Sequence, residues 1–397
     1  MVKKVFPVIG LAVFSTMLGV GILTPILPIY ASDLGATGVW IGIIAGSYSV
    51  SRALVMPLVG RWSDRKGRKV FLGVGLLIYA VVSLLYIVSD SLLSLLIVRL
   101  IQGAVSGMII PVARAWIGDI SPEGEEGRWQ GYFNTAFFSG SAAGPFLGGT
   151  LADLFNIDYA FAAMGVMNLI SFLAVTIFLR DIIERKPADR PRPSFRALSR
   201  SPLFKALFIQ RSTLEIGMAI YIVFLPLWAY QELALSRLYI GALVGGALLV
   251  SSWLQLLTGQ LADKFDRRKL VVMGTIFNFA MVAAVPLAGS LVALVVLIIL
   301  RSLGGAISMP GHAALSVTLG RRFGMGSTIA ILSLATSVGM AVGPILAGFI
   351  HDYLGGIEAT FYFGAGIGII GVAFFGWLGY REKTVAPEAL AGTAKPA

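Results

Sequence analysis

Long apolar stretches alternate with short polar ones along the whole chain. Runs of spanning length fall at 5–30, 40–60, 70–89, 92–116, 129–152, 159–181, 205–230, 238–260, 270–288, 291–315, 326–350 and 357–380. A helix of about 20 apolar residues crosses the hydrocarbon layer and satisfies its own backbone hydrogen bonds. The pattern therefore predicts an all-α membrane protein of twelve transmembrane helices. The polar stretches between the runs are too short to form a soluble catalytic domain. The longest, RDIIERKPADRPRPSFRALSRSP from Arg180 to Pro202, is basic and contains proline, as a linker does. The predicted organisation is a six-helix half over 1–181, a cytoplasmic linker over 182–204, a second six-helix half over 205–380 and a tail over 381–397. The first run, although it starts with Lys3 and Lys4, is too long for a signal peptide and has no small-residue cleavage site, so it reads as a retained span.

Composition agrees: 57% of residues are hydrophobic, only 13% are charged and the mean hydropathy is +0.86. The net charge of +11 would fit a nucleic-acid binder, but the placement of the cations argues otherwise. Lys and Arg concentrate at the N-terminus, in alternate loops and in the tail, whereas the intervening loops at 31–39, 90–91, 153–158, 231–237, 289–290 and 351–356 hold only Arg237. This asymmetry is the positive-inside pattern, so both termini are expected in the cytoplasm and no nucleic acid is expected as a partner. With no cysteine, disulfide and thiol chemistry are excluded. Two histidines in different spans, no paired acids within the spans and no GxxxxGK[ST] motif leave no recognisable metal centre, nucleotide site or enzyme. A transporter with no cofactor is expected.

The chain repeats itself. GRWSDRKGRK from Gly60 returns as GQLADKFDRRK from Gly259, and AGPFLGGTLAD from Ala143 returns as VGPILAGFIHD from Val342. Gly60 and Gly259, Asp64 and Asp263, Pro145 and Pro344, and Asp153 and Asp352 are all 199 positions apart. VRLIQGAVSG around Arg99 returns, at an offset of 202, as LRSLGGAISM around Arg301. A duplicated six-helix unit implies two parallel halves with a site between them near the membrane midplane.

On these motifs the chain resembles the major facilitator superfamily, and within it the twelve-span drug/proton antiporters of the multidrug efflux kind. GRWSDRKGRK is similar to that family's loop between spans two and three, and RLIQGAVSG to its fourth-span arginine motif. In span five, Gly131, Gly140, Gly144, Pro145, Gly148 and Gly149 reproduce the spacing of the motif associated with antiporters. The resemblance implies a gating latch of Gly60, Asp64, Arg68 and Asp119, with Arg128, that locks the cytoplasmic side shut when the protein faces outward. It also implies that spans one, four, seven and ten line the cavity and that Arg99 takes part in proton transfer by tuning a nearby acid. Physically, the span-five glycines permit close helix contact and Pro145 a bend; the cations of 60–69 at the least set topology.

Charges inside spans are costly, about 2.5–3.5 kcal/mol each on insertion scales, and point to function or to a partner. Of 20 acidic residues, Glu215 alone lies deep in a span, one helical turn from Arg211 on the same face. It reads either as the carrier of the coupling proton or as a static partner of Arg211. Arg99, Gln102, Ser106 and Arg114 share one helical face, as do Arg301, Ser308 and His312; with Arg211 and Thr24 these are the candidate substrate-path residues. Tyr48 and Tyr221 are available to stack on a substrate or to pack. The expected function is export of hydrophobic or amphiphilic small molecules by alternating access, with the proton as coupling ion. The expected setting is a prokaryotic inner membrane and a monomer embedded in the bilayer. The alternative is a transporter of a specific metabolite, sugar, siderophore or anionic lipid-like substrate.

Overall fold

The computed structural model describes residues 2–122, 124–179, 201–259 and 265–379. The Asp64 side chain, Asp263, linker residues 182–200 and the tail at 381–397 lie outside the described residues. Twelve long helices run in order: α1 (Val2–Asp33), α2 (Gly38–Lys66), α3 (Arg68–Ile87), α4 (Leu92–Ile120), α5 (Glu126–Leu154), α6 (Ile157–Phe178), α7 (Pro202–Gln231), α8 (Arg237–Thr258), α9 (Arg267–Ala283), α10 (Leu291–Phe323), α11 (Met325–Ile350) and α12 (Gly356–Gly379). A π-helical turn, His351–Gly355, joins the last two. The seventh helix starts earlier than the linker boundary at 204 implied, because Ser201 caps it and Pro202 occupies its first turn, where no backbone donor is needed.

Local signals also repeat. Ser91 and Ser290, 199 positions apart, cap α4 and α10 by accepting the backbone N–H groups of Ser94 and Ala293. Gly67, at φ +93°, reverses the chain between α2 and α3 in a single residue, which an L side chain would strain. By length and apolarity nine described stretches can cross a membrane; the last, Ile331–Leu378, holds α11 and α12 together. At about 1.5 Å per residue that stretch is more than twice the roughly 30 Å hydrocarbon thickness, so it crosses twice with the His351–Gly355 turn between the crossings. Glycine-rich α5 and the 17-residue α9 fall short by these measures and owe their places to packing.

Helices α1–α6 and α7–α12 form two halves that meet along α2 with α11, α5 with α8, and α1 with α7. The meeting is lopsided. Cβ atoms added at Gly38, Gly42 or Gly46 of α2 would strike the His351–Asp352 turn, Pro344 and Ala341, and one at Gly149 of α5 would strike the Arg237 carbonyl of α8. These residues all belong to the end of the bundle away from the basic loops. Among the described residues, the hydrogen bonds joining the halves lie there too, so the halves are sealed at the far end and part toward the basic end.

Candidate functional site

Below the sealed end lies a cavity of about 100 Å³ between the halves. Its walls come from α1, α2, α7 and α11, with Arg99 of α4 as the charged group, and they are otherwise largely apolar: Leu23, Leu27, Ile222, Val223 and Met340 among them. Thr24 lines it as expected, although its hydroxyl donates to the Val20 carbonyl at 2.9 Å. Helix α10 does not reach this cavity; α2 and α11 take its place because the closely packed glycine stripes draw those two helices together.

Arg99 is 8% exposed and held from behind. Its Nη1 donates to Gln102 Oε1 at 2.7 Å, and its guanidinium stacks 4.6 Å from the centre of the Tyr48 ring. Gln102 is the hub: its oxygen also accepts Tyr86 Oη at 2.8 Å, and its Nε2 donates to Tyr79 Oη at 2.7 Å. Ser106 bonds Tyr48 Oη at 2.7 Å. Gln102 and Ser106 are therefore buried supports of Arg99 rather than cavity walls, which corrects the substrate-path reading of both. No carboxylate lies within ion-pair distance of Arg99 among the described residues.

The second half holds a counterpart. Arg301 is 6% exposed, its guanidinium is 4.0 Å from the Tyr221 ring centre, and it points at the Met218 sulfur. His312 is buried, with Nε2 lacking a hydrogen-bond partner. Arg301, His312, Arg211 and Arg114 stand outside the central cavity in this state, a second correction to the shared-face expectation. Arg114 is exposed nearer the basic end, where it bonds Asn134 at 3.3 Å and stacks on Phe133. The pairing of Arg211 with Glu215 is as read from their spacing: Nη2 to Oε1 is 2.8 Å, while Arg211 Nε donates to Thr336 of α11 at 3.0 Å. Gly339 of α11 leaves room for the Glu215 stem.

At the sealed end sits a device that the sequence reading passed over. Asp352 accepts the Gly38 N–H at 2.7 Å and the Val39 N–H at 2.8 Å, capping α2 from the opposite half. His351 Nδ1 is 2.7 Å from the same carboxylate. Burial pushes the Asp352 carboxyl up, but the bonds from Val39, His351 and Gly38 outweigh it and hold the carboxyl below its ordinary value. Arg237 pairs with Asp33 across the halves at 2.8 Å. The available signal was Asp352 standing 199 positions after Asp153, which itself is exposed.

Of the latch residues, Arg68 meets Asp119 at 2.6 Å within the first half, and Arg128 contacts Tyr132. Neither of these two contacts joins the halves; Gly60 faces open space. In the span-five motif, Gly140 and Gly144 abut the α1 backbone, Gly148 meets Ile22, and Pro145 and Gly149 meet Gly241 of α8. Gly131 has open space around it, so it does not serve helix contact here.

Two six-helix halves around a central cavity define a secondary-transporter architecture. The chain belongs to the major facilitator superfamily, whose sequence profile matches it twice, over residues 9–214 and 207–397. Members of this family are transporters rather than enzymes. An uncharacterized MFS-type transporter of Methanocaldococcus jannaschii is 31% identical over 361 residues, covering 89% of this chain and 92% of the relative. The quinolone resistance protein NorA of Staphylococcus aureus is 24% identical over 380 residues, covering 93% and 95%. Among solved structures, a bacterial homolog to the human lysosomal transporter Spinster, in an inward-facing, unoccupied conformation, superposes with a TM-score of 0.84 at 14% identity, covering 95% of this chain and 97% of that one. The human organic anion transporter MFSD10 gives 0.65 at 19%, covering 94% and 99%.

Proposed function

We propose that this protein exports hydrophobic or amphiphilic small molecules across a prokaryotic cytoplasmic membrane in exchange for protons, by alternating access. The carrying observation is Glu215: a carboxylate deep in α7, 14% exposed, paired with Arg211 at the packing surface of α7 and α11. Rocking of the halves changes the solvent reaching that pair, which is how a buried acid binds a proton from one side and releases it to the other. The positive-inside pattern supports a cytoplasmic position for the basic end and both termini. The conformation described is then open to the inside and sealed outside, with hydrophobic compounds entering toward the apolar cavity.

The similarity to a quinolone resistance protein across nearly the whole chain supports a drug-like substrate. At 100 mV each charge moved inward contributes about 2.3 kcal/mol, enough for one proton to sustain a useful gradient. Purified protein in liposomes, given an imposed pH gradient and a panel of lipophilic dyes, tests the reading. Transport driven by the gradient is expected in the unmodified protein, and its loss with dye binding retained is expected in Glu215→Gln. Full coupled transport by that variant rejects Glu215 as the carrier.

A further inference from the structure

Arg99 and Arg301 are each more than nine-tenths buried, and neither has a carboxylate within ion-pair distance among the described residues. Tyrosine rings and Gln102 hold the two guanidiniums in place but supply no negative charge. The Nε atom of each is buried without a hydrogen-bond partner. Of these two uncompensated cations in a low-dielectric interior, Arg99 lines the central cavity, where an incoming anion completes it. The acid of the mid-span region does not complete it, because Glu215 is already compensated by Arg211 at 2.8 Å.

We propose that the central cavity receives an acidic amphiphile, its carboxylate or similar anionic group pairing with Arg99 and its apolar body lying against α1, α2, α7 and α11. Arg99 is the charged group on the cavity wall, and the remaining wall is largely aliphatic. About 100 Å³ is roughly the room of three waters, which suits an anionic head group. The body of the molecule then extends toward the basic end, where the halves part. Gln102 makes the site rigid: fixed on two sides by Tyr79 and Tyr86, it directs the guanidinium without neutralising it. Planar guanidinium pairs with carboxylate through two parallel donors, so the site reads charge and geometry together. The same field disfavours purely cationic compounds.

This names the substrate class of the transport site proposed above and rests on that reading only for the transport steps after binding. The test uses the full chain in lipid nanodiscs at pH 7 and tritiated 1-naphthylacetate, with 1-naphthylacetamide as an uncharged competitor of the same shape. The unmodified protein is expected to bind the acid at least about tenfold more tightly than the amide. In Arg99→Gln the two should bind alike, the retained amide binding showing that the cavity is still folded, and Arg99→Lys should recover part of the preference. Equal binding of the two probes by the unmodified protein, binding of neither, or a preference that survives in Arg99→Gln overturns the proposal. Selective binding without gradient-driven transport leaves this site standing and removes the exchange reading instead.

Discussion

At the scale of the residue, the most consequential side chain is one with no charge. Gln102 joins Arg99, Tyr79 and Tyr86 through three hydrogen bonds of 2.7–2.8 Å in a place where water does not compete. Replacing it by leucine keeps the volume but takes the acceptor from the Tyr86 hydroxyl and the Arg99 guanidinium, while Tyr79 keeps only its bond to the Thr16 carbonyl. An unsatisfied buried polar group costs about 1–3 kcal/mol, so Gln102→Leu should lower the thermal unfolding midpoint of the purified protein and weaken probe binding along with it. An unchanged midpoint would show that the network rearranges freely. The sequence pointed to Arg99 and Gln102 as neighbours on one helical face. It gave no sign that Tyr79 and Tyr86, on α3, close the network, because that contact depends on how α3 packs against α4.

Between elements, the far-end seal rests on backbone meeting backbone, on the Asp352 carboxylate and on the Asp33–Arg237 pair. Gly348 packs against the Gly38 carbonyl, and four residues later Asp352 caps the start of α2. Because the folded-state carboxyl is held below its ordinary value, its contribution to the seal is fully present above the ordinary aspartate pKa near 4. It is lost as pH falls through the depressed value. The chain has no cysteine, so a single one at Ala45, on the cavity wall, reports access from outside. In Ala45→Cys protein, labelling from the far side, divided by that of an exposed reference thiol in Glu232→Cys protein at the same pH to cancel the loss of thiolate, should rise as the pH there drops below about 4. Adding Asp352→Asn should give faster labelling at pH 7 and a flat pH profile, whereas unchanged labelling at pH 7 would assign the seal to glycine packing and the Asp33–Arg237 pair alone.

For the whole molecule, the two halves come from a repeated sequence but are not used alike in this conformation. In the second half Asp352 makes the cross-half cap, whereas Asp153, its counterpart in the first, is exposed; at the same end Arg237 pairs with Asp33. Twelve crossings bring α1's start and α12's end to the same end of the bundle, beside the basic loops. With the basic end in the cytoplasm as proposed, a reporter enzyme active only on the outer side of the membrane should be silent at either terminus and active when inserted in the turn at 34–37. Activity at one terminus only would break the even-crossing topology.

Apolar run length, the 199-residue repeat and the placement of cations by themselves determined the helical membrane fold and its two halves, and the one-turn spacing of Arg211 and Glu215 put the two on one helical face. Each of these arises from local periodicity or from a patterned bias, which a linear chain records. The tertiary structure alone decided that the far end is sealed and the basic end open, and that Gln102 and Ser106 support Arg99 from behind. It also decided that Arg68 and Asp119 pair within one half and that Asp352 caps a helix 313 positions away. Those outcomes depend on which helix faces turn toward each other between segments far apart in the chain, and neither local periodicity nor a patterned bias records that.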